Sequence, residues 1–314
     1  GTLRRDASGV CHINPSRELI KNIDLIPFPA LELLPLSKYK RTPSSYKKVP
    51  VRSILTARGC PYSCIFCDRG AFGLSVRTRS VENVMREVDR LVNEFKTKEL
   101  RIWDDVFTMN EKRAIEICNE LKRYNLTWSC NGRVNMITAN MLKHMKDAGC
   151  WAVDFGIESG NDLILKVINK KFTVKQASDS IKMVKKAGME VRAFFILGFP
   201  EETSDTVRDT INFALANSVD YATFYLPQAY PGTKLCEIAE KEMSLENDFS
   251  KYLITGSVAS YVNKKIGMKN IQFFQKQAYR SFYRRPLYIA RMLFKIRTLE
   301  DIKRYLAAVS IFNV

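Results

Sequence analysis

The chain has 314 residues, 46% of them hydrophobic and 26% charged. That is enough for a sizeable buried core, and it excludes a disordered chain or a disulfide-dependent mini-domain. Fifty basic against 33 acidic residues give a net charge of +17, which favours anionic partners such as RNA, phosphorylated metabolites or a membrane surface, although much of the lysine decorates helix faces.

Residues 1–50 read as a connector, because Ile20–Lys40 carries Pro27, Pro29 and Pro35 among apolar residues with no sustained period. The first methionine is Met85, beyond the first cysteine cluster, so Gly1 is not expected to be a native start and further sequence is expected upstream. Strand and helix signals then alternate. Short apolar runs at Val51–Thr56, Leu100–Trp103, Thr127–Cys130, Trp151–Ile157, Val191–Leu197 and Tyr221–Leu226 read as strands. Between them, Ser80 caps a stripe from Val81 to Phe95, and Ala114, Ile115, Cys118 and Leu121 mark a second helix. Thr138 caps a third that Gly149 ends, Thr173 and Gln176 form a capping box before a fourth, and Val207, Ile211, Ala214 and Leu215 stripe a fifth. This order predicts an α/β fold with a parallel sheet in six βα units, as a closed or partial barrel or as an open doubly wound sheet. Past Leu235 the alternation stops. Helices are expected over Lys269–Arg284, on from Pro286 to Phe294, and after a cap at Thr298 and Asp301.

Cys60, Cys64 and Cys67 lie on one short loop after the first strand, spaced C-x-x-x-C-x-x-C. Three soft ligands suit an iron–sulfur cluster, and three thiolates for four irons leave one iron open. The alternative is a structural zinc site, for which His12 and His144 offer no paired ligands. The other five cysteines are scattered and read as free thiols in a reducing compartment. In a parallel β/α sheet, chemistry gathers at the carboxyl ends of the strands. There the sequence puts the cysteine loop, Asp104 and Asp105, Arg133, Glu158, the Gly198-Phe-Pro-Glu-Glu202 stretch, and Gln228 with the Tyr230–Thr233 turn.

The cysteine loop, with Phe66 before its last cysteine, resembles the radical S-adenosylmethionine (SAM) superfamily. Trp128–Arg133, Phe155–Gly160, Phe195–Pro200 and Tyr230–Thr233 look like its cobalamin-dependent branch. The resemblance implies a partial (β/α)6 TIM-like barrel over residues 51–235, after a connector over 1–50 that follows an absent cobalamin-binding domain, and before a helical extension over 236–314. It implies that Cys60, Cys64 and Cys67 hold a 4Fe–4S cluster whose open iron chelates SAM, and that one electron cleaves SAM to a 5′-deoxyadenosyl radical that abstracts hydrogen. Phe66 is then expected beside the adenine, Asp104 or Asp105 at the SAM amino group, Arg133 at its carboxylate, Glu158 near its ribose or amino group, and Leu197 and Gly198 along the adenine. The strand-two end reads Trp103-Asp-Asp105 where that family usually has a Gly-Gly-Glu-like motif.

The expected activity is cobalamin-dependent methyl transfer to an unactivated carbon, with anaerobic oxidative cyclisation as the alternative. A non-catalytic metal module in a nucleic-acid-binding protein is the competing class, and it predicts zinc and salt-dependent RNA binding. The enzyme reading implies a small-molecule or lipid-like substrate and an electron donor such as flavodoxin or ferredoxin. It also implies a cytoplasmic location, with peripheral membrane contact through the basic C-terminal helices left open.

Overall fold

The computed structural model describes residues 3–294, except 16, 40–45, 243, 247 and 254–257, together with 296, 299 and 302. Its frame is a six-stranded parallel sheet of β3 (Val51–Ile54), β6 (Glu99–Ile102), β7 (Thr127–Gly132), β8 (Cys150–Glu158), β9 (Glu190–Ile196) and β10 (Tyr221–Tyr225). These strands lie side by side in chain order, with β3 and β10 at the two edges. Helices α1 (Val81–Asn93), α2 (Glu111–Leu121), α3 (Ala139–Asp147), α4 (Asp162–Val167), α5 (Val174–Lys186), α6 (Ser204–Ala216) and α7 (Lys234–Glu242) fill the crossovers and follow β10. The fold is thus the expected partial barrel, and it is not closed.

Period-two alternation sorts each strand into two faces. Leu100 and Ile102, Val191, Ala193 and Phe195, and Ala222 and Phe224 are buried in the core that the helices cover. Their neighbours Glu99, Arg101, Asp154, Arg192, Thr223 and Tyr225 occupy the other, concave face, which is polar.

The caps form as the sequence predicts. Ser80 Oγ accepts from Asn83 N at 3.1 Å, Thr138 Oγ1 from Met141 N at 3.1 Å, and the Thr173–Gln176 box is complete. Two features escaped the periodicity. In α2 the fully buried isoleucine is Ile117, while Ile115 is half-buried. The short α4 starts where the Asn161 side chain accepts from Leu163 N and Ile164 N.

At the edge, α8 (Met268–Tyr283) takes the place of a seventh strand. Gln275 Nε2 donates to Phe224 O at 2.8 Å, Tyr279 Oη accepts from Phe224 N at 3.1 Å, and Tyr283 Oη bonds both Ala222 N and O, at 3.2 and 2.8 Å. These three side chains recur every four residues, one helical face, and satisfy the edge backbone of β10. The helix α9 (Pro286–Phe294) follows. The last helix expected after Thr298 and Asp301 lies outside the described residues.

Before β3 the chain forms an exposed hairpin, β1 (Leu3–Arg5) with β2 (Cys11–Ile13), then short 3₁₀ turns. These are tied to α1, since Asp24 accepts from Ser80 N at 2.9 Å and Glu32 pairs with Arg90 at 2.6 Å. Two further small antiparallel pairs complete the described elements, β4 (Ala57–Arg58) with β5 (Arg77–Thr78), and β11 (Ser244–Leu245) with β12 (Tyr261–Val262).

Candidate functional site

The cysteine loop leaves β3 through a tethered entry. Asp104, buried at the end of β6, accepts from Thr56 N at 2.5 Å, from Ala57 N at 3.0 Å and from the Thr56 hydroxyl. Burial raises its carboxyl above the ordinary range, against those hydrogen bonds. Asp105 accepts from Gly59 N at 3.2 Å. Gly59 has φ +96°, and a Cβ there would collide with the Ser75 carbonyl, so the chain turns into Cys60 only with glycine. The strand-two aspartates therefore fasten the loop.

The far side of the loop is held by the segment between α4 and α5. Ile65 N donates to Ile168 O at 3.2 Å, and Asn169 Nδ2 donates to Ser63 O and Oγ at 2.8 and 2.6 Å. Arg133 is buried, its guanidinium lies 3.5 Å from the centre of the Tyr62 ring, and it donates to Lys170 O. Of the three thiols, Cys64 is buried, Cys60 half-buried and Cys67 exposed. Burial raises the Cys60 thiol, and the neighbouring Asp105 and Cys64 add to it.

Facing this loop is a pair of buried opposite charges. Lys170 Nζ donates to Glu158 Oε1 at 2.9 Å, with both side chains 9% exposed. Glu158 has φ +70° and follows a register shift of β8 against β9, a conformation that non-glycine residues hold only when their surroundings impose it. Its side chain lies over Gly156, where a Cβ would collide with the carboxylate and stand 3.3 Å from Lys170 Nζ. The ammonium is also 5.4 Å from the centre of the Phe66 ring, and Phe66 lies 5.3 Å from Phe199.

The next rim element is the turn after β9. Leu197 is fully buried and donates its N–H to Tyr225 O at 2.9 Å. Gly198 has φ +110°, and its carbonyl accepts from Tyr261 Oη at 3.0 Å. Glu202, fully buried, accepts from Gly198 N and, at 2.8 Å, from Phe199 N. Burial pushes its carboxyl up to about 7, against those two bonds.

Cys60, Cys64, Cys67, Phe66, Glu158 and Arg133 thus gather on one rim, while Asp104 and Asp105 stand behind the loop as anchors. Sequence reasoning missed Lys170 and Asn169, and it placed Glu202 at the end of the fifth strand without telling it from Glu201. Asn169-Lys-Lys171 reads as an ordinary solvated turn, and only the fold brings it to Cys64, whose Sγ is 3.9 Å from Asn169 O. Glu202 sits in a Pro-Glu-Glu run whose two carboxylates look alike in sequence, yet Glu201 is exposed.

The donor set is three thiols on one loop. His12 pairs instead with Asp6 at 2.6 Å, and His144 bonds Asn119 at 3.1 Å. Among the described residues, no three His, Cys, Asp or Glu side chains are gathered as for a single metal ion. Thiolates without imidazole or carboxylate suit an iron–sulfur cluster.

The comparisons with known proteins agree. The chain is 39% identical over 292 residues to an uncharacterized methyltransferase of Pyrococcus horikoshii, covering 92% of this chain and 62% of that protein. It is 31% identical over 202 residues to the anaerobic magnesium-protoporphyrin IX monomethyl ester cyclase of Cereibacter sphaeroides, covering 62% of this chain and 33% of that one. The cobalamin-dependent S-adenosylmethionine radical enzyme OxsB, with aqua-cobalamin and S-adenosylmethionine bound, shares the fold with a TM-score of 0.69 at 18% identity, over 99% of this chain and 51% of that one. The chain thus spans less than two thirds of the length of these proteins. The Radical SAM superfamily pattern matches residues 54–214, half of the chain, and the chain belongs to that superfamily.

Proposed function

We propose that this chain is the catalytic core of a radical SAM enzyme that transfers a methyl group to an unactivated carbon with the help of cobalamin. The observation that carries the reading is the face-to-face placement of a three-thiol loop and the buried Glu158–Lys170 pair. When bound, a 4Fe–4S cluster on Cys60, Cys64 and Cys67 supplies the electron, and SAM the radical, that the chemistry requires.

The residues of the chain do the positioning. SAM ends in an α-amino and an α-carboxylate group, and two opposite charges 2.9 Å apart complement such a zwitterion. Glu158 takes the amino group. Lys170 is better placed for the carboxylate than Arg133, whose guanidinium is engaged with Tyr62 and the Lys170 carbonyl. Phe66, backed by the buried Phe199, and the Leu197–Gly198 turn offer the apolar wall and backbone for an adenine. A one-electron donor such as flavodoxin or ferredoxin and a small-molecule or lipid-like substrate complete the reading.

Methyl transfer is favoured by the methyltransferase named in Pyrococcus horikoshii. Oxidative cyclisation is the second reading, supported by the cyclase of Cereibacter sphaeroides. Anaerobic reconstitution tests the common part. The protein is expected to take up roughly four irons and, with dithionite, to release 5′-deoxyadenosine and methionine from SAM. Iron uptake at that level without cleavage would overturn the reading, as would unchanged uptake in Cys64→Ala.

A further inference from the structure

The concave face of the sheet carries a charged tier below the rim. Asp154 is 4% exposed and accepts Arg192 Nε on Oδ1 at 2.6 Å and Arg101 Nη2 on Oδ2 at 2.7 Å. Arg101 also donates to Asn131 Oδ1 at 2.6 Å and Ser129 Oγ at 3.2 Å. Arg192 is 7% exposed, yet its Nη2 is buried and meets no acceptor. Two guanidiniums thus share one carboxylate, and one of them has an unused donor group.

Two acidic groups, Glu99 and Glu190, lie on the same face, and neither bonds Arg192 Nη2. Glu99 accepts from Lys47 N and Lys48 N at 2.8 and 2.7 Å, from Thr127 Oγ1 at 2.8 Å and from Trp151 Nε1 at 3.1 Å. Glu190 faces Lys47 Nζ at 3.8 Å. A buried guanidinium N–H without an acceptor costs free energy, and an oxygen arriving from outside would supply the missing bond. Trp103 is 52% exposed, with its ring centre 4.4 Å from the Arg101 guanidinium, and half-buried Phe194 and Tyr225 stand 6.1 Å apart, centre to centre, along β9 and β10.

From this we infer that the Arg101–Asp154–Arg192 tier is an oxyanion subsite, taking the carboxylate or phosphate of a ligand whose remaining body lies against Trp103, Phe194 and Tyr225. That the ligand is the substrate rests on the function proposed above, whereas the binding itself does not.

The test uses the metal-free full chain. Sodium phosphate and sodium acetate are titrated separately, against sodium chloride at equal ionic strength, while tryptophan emission is followed. Trp103 lies beside Arg101, and Trp151 lies 5.2 Å from Arg192, so both report on the tier. A saturable change with phosphate or acetate is expected, and whichever binds more tightly fixes the class. Affinity should fall at least tenfold in Arg192→Met. Should that variant misfold, Arg192→Lys keeps the charge but loses the fork, and is expected to bind the anion at least threefold more weakly at an unchanged ligand-free Tm. Changes no larger than those from chloride, or equal affinity in both variants and the parent, would overturn the subsite. Because no cluster or SAM is present, either result leaves the 5′-deoxyadenosine test independent.

Discussion

Lys170 and Glu158 form a buried ion pair on the rim. Lys170→Met leaves a buried carboxylate without its partner, at a cost of ~3–5 kcal/mol, whereas Lys170→Arg keeps the charge. If the ammonium also receives the SAM carboxylate, Lys170→Met should raise the KM for SAM at least tenfold while bound iron stays constant. Iron content and KM measured on the same preparations separate this from a general loss of structure. Glu202 gives a pH signature instead. Its carboxyl is raised from 4.5 to about 7 by burial, so the folded state holds a proton that the unfolded state has released. Its contribution is fully present below pH 4.5 and is lost as pH rises through about 7. Thermal melts between pH 5 and 8 should show Tm falling with rising pH, and Glu202→Gln should flatten that slope. An unchanged slope would show that the two backbone N–H bonds keep the carboxylate ionised.

At the level of elements, α8 does the work of a missing strand. A parallel sheet that stops at β10 exposes a row of backbone groups, and Gln275, Tyr279 and Tyr283 satisfy them from one helical face. Tyr283→Phe removes the partner of both Ala222 N and O, and is expected to destabilise by ~1–3 kcal/mol in urea unfolding. A loss below ~0.5 kcal/mol would mean that water replaces the phenol at this edge. The segment Ile168–Phe172 acts likewise as a brace, linking α4 to the cysteine loop through Asn169.

For the whole molecule, the cysteine loop joins the apolar core through Ile65, with Phe66 packed against it, and the rest of the loop is held by polar contacts. The apolar cluster lies between sheet and helices, whereas the loop is fixed by Asp104, Asp105, Asn169 and Arg133. Chelating the metal should therefore leave far-UV circular dichroism intact and lower Tm by only the binding contribution. Collapse of the spectrum on metal removal would show that the loop needs its cluster to fold. The net charge of +17 comes from 50 basic against 33 acidic residues and does not by itself mark a nucleic-acid surface. No helix among the described residues is long and apolar enough to cross a membrane.

The spacing of Cys60, Cys64 and Cys67, the alternation of strands and helices, and the Ser80, Thr138 and Thr173 caps were legible because each is a local pattern, set by neighbours within a turn or a loop. Lys170 at Glu158, Asn169 at Ser63, Arg192 at Asp154 and Gln275 at Phe224 were not, since these partners stand 12 to 106 residues apart along the chain and no period connects them. The choice between an open and a closed sheet was hidden for the same reason. Hydrophobic spacing specifies which face of a strand is buried, whereas the fate of an edge depends on which distant side chains reach its backbone.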